Sequence, residues 1–146
     1  MKKWVTILVV FLLIVALVGV RVIGPHIFYD PLIHFFHSAS YQSTPLPEMN
    51  MWMFSISLFF RFVLNTVITL ALIWTIFKKQ ELIKLTVVLY AFVFVILGSV
   101  LIWLVNFADF DQYRYLFYVR RILIHPVLTL ILIPAFLYNE RVAKTE

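Results

Sequence analysis

Four apolar runs dominate the chain, at about residues 4–24, 52–77, 85–107 and 115–138, with few polar positions inside them. A helix rises ~1.5 Å per residue, so about 20 residues cross a hydrocarbon core of ~30 Å, and each run is long enough. The pattern predicts an all-α polytopic membrane protein, with four transmembrane helices making one domain over residues 1–146. The longest connection covers residues 25–51. Within it, "FYDPLIHFFHS" reads as a short helix, with Asp30 suited to the N-cap and Pro31 to the first helical position. Its aromatic content predicts that it lies along the membrane surface as an interfacial helix. The next stretch, "SASYQSTPLPE", is turn-forming and leads into the second run.

Charge sets the expected orientation. All lysines, Lys2, Lys3, Lys78, Lys79, Lys84 and Lys144, fall at one set of helix ends. The positive-inside rule therefore predicts cytoplasmic termini and a cytoplasmic "KKQELIK" turn, with the loops at 25–51 and about 108–114 on the outer side. Lys2 and Lys3 before an apolar stretch resemble the start of a secretory signal. That stretch is long, however, and "LVGVRVIG" lacks a small-x-small cleavage site, so a retained signal anchor is expected.

Arginine follows a different rule. Arg21, Arg61, Arg114, Arg120 and Arg121 all belong to the outer side of this topology, and only Arg141 is cytoplasmic. Counted from the cytoplasmic helix ends, Arg21 and Arg121 stand about 26 Å up, Arg61 about 24 Å and Arg120 about 27 Å. Interfacial snorkelling is the plainer reading. Against it, Arg61 is followed by sixteen apolar or uncharged residues. Several cations at one height repel in a low dielectric unless carboxylates or phosphate oxygens stand among them. The expectation is an inward-facing polar cluster of Arg61, Asn65, Arg120 or Arg121, and His125, with Arg21 at the same level. Asp30, Asp109 and Asp111 are its candidate acidic partners. The second and fourth runs also align without gaps, "RFVLNTVITLALIW" from Arg61 against "RILIHPVLTLILIP" from Arg121, which sets Asn65 and His125 at equivalent depths.

Composition narrows the function classes. At 64% hydrophobic and 13% charged, the chain lies outside the soluble range. The net charge of +5 comes from residues that flank or interrupt apolar runs, which argues against nucleic acid as a partner. The absence of cysteine removes disulfides, thiolate ligands and cysteine nucleophiles. His26, Asp30, His34 and His37 would share a face only of an unbroken helix, and Pro31 interrupts it, so no metal is expected. No cofactor is expected either. No serine-histidine-aspartate set, paired intramembrane carboxylate or glycine-rich loop accompanies Arg121 and His125, which predicts a protein that is not an enzyme. Pro126 removes the hydrogen bond to the Ile122 carbonyl, and a kink there needs polar neighbours for the freed backbone. With Gly 3 and Phe 15, close glycine crossings are not the main packing device and large aromatic side chains are.

"FYDPL" at 28–32, "PLPE" at 45–48, "FRFVLNT" at 60–66, "FYVRRILIHP" at 117–126 and "IPAFLY" at 133–138 resemble the exosortase F system-associated membrane proteins of flavobacteria and relatives. The resemblance covers nearly the whole chain, and the "FYVRR" block is its most specific part. It implies a four-helix inner-membrane protein encoded beside an exosortase, a polytopic enzyme that processes carboxy-terminal sorting signals of exported proteins. The family pattern has glutamine where this chain has His125, which argues for hydrogen bonding rather than catalysis there. Exosortases resemble transpeptidases that use a cysteine, so this chain is not that enzyme itself. The resemblance assigns no biochemical role of its own; the expectation drawn beside it is a non-catalytic accessory or assembly subunit, its outer arginines engaging an acidic partner group or a lipid phosphate. The alternative is an independent lipid- or phosphate-binding membrane protein, enzymatic or not.

Overall fold

The longest helix-forming stretches carry the architecture, and the computed structural model describes residues 2–146. Helix α1 runs Lys3–Ile27, α2 Leu32–His37, α3 Met51–Phe77, α4 Gln80–Phe107, α5 Tyr113–Ile124 and α6 Val127–Thr145, with a 3-10 turn at Phe110–Gln112 before α5. Helices α1, α3 and α4 are each long and apolar enough to cross a membrane. Helices α5 and α6 meet the same test only as a pair, bent by 58° at their junction. The protein is thus all-α, with three spans or four if the bent pair is one.

The break is sharper than the kink expected from the sequence. Proline disfavours the helical conformation of the residue before it, and His125 is extended at φ −107°, ψ 149°. The expected continuous helix over 115–138 is therefore two helices, and the first is only about 18 Å long.

Helix α3 is the hub, packed against α1, α4 and α5. Its buried positions, among them Phe54, Leu58, Phe62, Thr69, Leu72 and Phe77, recur at the spacing of one helical face. Asn50 starts it, its side chain accepting from the amides of Trp52 and Met53, and Lys78 ends it in the left-handed conformation at φ 53°. Aromatic pairs do much of the packing, as anticipated. Phe62 meets Phe94 of α4 at 4.8 Å between centroids, Phe77 meets Phe136 of α6 at 5.8 Å, and Phe36 of α2 meets Phe117 of α5 at 5.2 Å. Gly19 and Gly98 face open space, so only Gly24 marks a close approach.

Helix α2 corrects one expectation. It begins at Leu32 with Pro31 at its N-cap position, and Asp30 does not cap it. The carboxylate is instead taken by arginine. Leu32, Phe35 and Phe36 of α2 are buried, with Phe35 against Tyr113 and Phe36 against Phe117. A six-residue helix has no stability of its own, and burying these rings against α5 supplies it.

At the lysine-bearing end, the Lys79 ammonium lies 2.7 Å from the Glu140 carboxylate and ties the α3–α4 turn to α6. Exposed as Lys79 is, the pair adds little stability.

Candidate functional site

The four arginines of the shared level divide into two pairs, and Asp30 draws the line between them. Tyr29 places this carboxylate: its amide donates to Ser57 Oγ at 3.2 Å, and its hydroxyl accepts from the Asn50 amide at 3.2 Å, binding the chain after α1 to the start of α3. Phe35 and Phe36 then seat the next turn on α5. Held from both sides, Asp30 meets Arg120 through a two-pronged contact, Nε and Nη2 each donating to a different carboxylate oxygen. Arg61 approaches the same carboxylate with Nη1 at 3.7 Å. The side chains are 2% exposed for Arg61 and 7% for both Asp30 and Arg120, so this triad is shielded from solvent and lipid alike.

Two further contacts fix the triad. The Arg120 guanidinium carbon lies 5.8 Å from the centre of the Phe36 ring, a cation–π distance. Gly24 lets α1 lie against Arg61: a Cβ there would stand 3.0 Å from Cζ, Nε and Nη2. Arginine is buried here because a carboxylate, an aromatic face and a side-chain-free turn of helix surround it.

Asn65, one turn below Arg61, takes up the break. Its Nδ2 donates to the Ile124 carbonyl at 3.1 Å, satisfying backbone that the interrupted helix leaves free. Deeper still, Thr69 Oγ1 and Thr129 Oγ1 are 2.6 Å apart, with the Tyr90 hydroxyl 2.8 Å from Thr129. This buried network joins α3, α4 and α6. Replacing Asn65 by leucine leaves the Ile124 carbonyl without that donor, and the expected cost is about 1–3 kcal/mol. The check is detergent unfolding; stability equal to wild type would deny Asn65 this role.

Arg21 and Arg121 make the second pair. Both are exposed, and neither contacts a carboxylate among the described residues. With His125 they line a cavity of about 530 Å³ between α1 and α6, floored by Leu72 of α3. The His125 Nδ1 is buried without a hydrogen-bond partner among the described residues.

The expected cluster of Arg61, Asn65, Arg120 or Arg121, and His125 is therefore two arrangements around one break. Arg61 and Arg120 share Asp30, while Arg121 turns with His125 toward Arg21. Of the candidate acids, Asp30 alone meets arginine among the described residues. Asp109 is exposed and closes a capping box with Gln112 before α5, and Asp111 is exposed. His26, His34 and His37 are also exposed. Sequence reasoning missed the Tyr90 link and the Gly24 cradle; the threonine shared by the aligned second and fourth runs was the available signal for Thr69 and Thr129.

By helix length and apolarity this is a multi-pass membrane protein with a charged site inside one end of its bundle. No family model, no curated protein and no solved structure matches the chain.

Proposed function

We propose that the chain is a non-catalytic accessory or assembly subunit of a bacterial inner membrane, acting with an exosortase-type enzyme in protein sorting. In this reading both termini are cytoplasmic and the arginine-bearing end faces outward. One observation supports it above others: among the described residues Arg21 and Arg121 meet no carboxylate, while Arg61 and Arg120 are held by Asp30. A fold that fixes one arginine pair and leaves a second exposed beside a cavity is organised to receive an oxyanion. The partner assignment rests on the resemblance of "FYVRRILIHP" and its companion blocks. Nothing in the proposed role requires a bond to be made or broken.

The rival reading is an independent lipid- or phosphate-handling membrane protein, and the apolar lining of the cavity favours it. Purification in gentle detergent from cells that also carry the exosortase separates the two. Co-elution of the enzyme is the expected result. A chain that elutes alone, and whose deletion leaves sorting-signal processing intact, overturns the accessory role.

A further inference from the structure

The cavity between α1 and α6 has a polar mouth and an apolar body. Arg21, Arg121 and His125 form the mouth. Below them Ile14, Leu17 and Val18 of α1 face Leu130 and Ile133 of α6. Ile14, Leu17, Val18 and Arg21 follow one helical stripe, so the apolar wall extends about 10 Å from the arginine toward the opposite end of the bundle. A volume of about 530 Å³ is in the range of small-ligand pockets.

Charge adds direction to this shape. Two guanidinium groups on different helices carry no acidic partner among the described residues, and the paired arginines nearby outnumber their single carboxylate. Helix α6 starts at Val127, which lines the cavity, and so brings the positive end of its dipole to the mouth.

We infer that this cavity is a binding site for one anionic phospholipid, the phosphate held between Arg21 and Arg121 and an acyl chain laid along the apolar wall. The inference deepens the oxyanion site proposed above and rests on it. Two guanidinium forks arriving from separate helices suit a tetrahedral phosphate, which offers acceptor oxygens in more than one direction. An apolar trough suits a hydrocarbon chain and is costly for a peptide, whose amides and carbonyls would find few partners there.

Native mass spectrometry of the full chain in neutral detergent tests this with three probes: phosphatidylglycerol, neutral diacylglycerol and inorganic phosphate. Wild type is expected to retain one phosphatidylglycerol in preference to diacylglycerol. Retention should fall about ten-fold or more in the Arg21→Gln/Arg121→Gln variant. It should also fall several-fold in Leu130→Trp, which fills the trough at an exposed position and keeps both arginines. The Arg21→Lys/Arg121→Lys variant controls for folding and should keep part of the binding. Inorganic phosphate that binds as well as the lipid, with no effect of Leu130→Trp, overturns the lipid assignment but leaves an oxyanion site standing. Indifference of all probes to both arginines overturns the lipid and the oxyanion site together, whereas exosortase co-elution is decided separately.

Discussion

Replacing Asp30 by asparagine is expected to destabilise the protein by about 3–5 kcal/mol, because it leaves two buried guanidinium groups facing each other with no counter-ion. Arg61 and Arg120 lie at 2% and 7% side-chain exposure, so neither reaches solvent without moving a helix. The consequence should be loosening of α2 from α5 and of α1 from α3, since Asp30 sits where those contacts meet. Unfolding in mixed detergent micelles measures the loss. Adding Arg61→Leu and Arg120→Leu to the Asp30→Asn chain should recover part of it, because apolar residues in place of a buried ionic triad cost less than an unpaired charge. Asp111→Asn, at an exposed position, should stay within about 0.5 kcal/mol of wild type. Wild-type stability in Asp30→Asn would show that the arginines find their counter-charge elsewhere.

Gly24→Leu is expected to cost about 1–3 kcal/mol through overpacking. The first added carbon alone would stand 3.0 Å from three atoms of the Arg61 guanidinium, and the rest of the side chain has to displace either that group or α1. Displacing Arg61 also lengthens its approach to Asp30. The two residues should therefore couple: in an Arg61→Leu background the added cost of Gly24→Leu should shrink. Gly19→Leu and Gly98→Leu, which meet open space, supply the comparison. Equal effects at all three glycines would deny Gly24 its role as a cradle.

Much of this architecture was legible in the chain. Hydrophobic run lengths located α1, α3 and α4 to within a few residues, because a lipid-spanning helix has to satisfy its backbone internally over a fixed thickness. Lysine and arginine already occupied separate levels. Which arginine pairs with which acid was not legible: Arg120 and Arg121 are neighbours in sequence, and a helix turns by about 100° per residue, so one faces α2 and the other α1. Depth arithmetic gave them one height and could not separate their directions. Local rules favour aspartate before proline as a helix cap, but at Asp30 two arginines distant in sequence make the stronger demand. The break at His125 has a related cause. Proline alone predicts a lost hydrogen bond, but a complete break needs a donor for the exposed carbonyl, and Asn65 comes from another helix.

The proposed division gives Arg61 and Arg120 the holding of the fold and Arg21 and Arg121 the receipt of a ligand. The direct measurement is to replace each arginine singly by glutamine and to record, for every variant, the unfolding midpoint and the retained phosphatidylglycerol. Lowered stability is expected for Arg61→Gln and Arg120→Gln, and near-wild-type stability with lost lipid for Arg21→Gln and Arg121→Gln. Four variants that behave alike in both readouts would contradict the division.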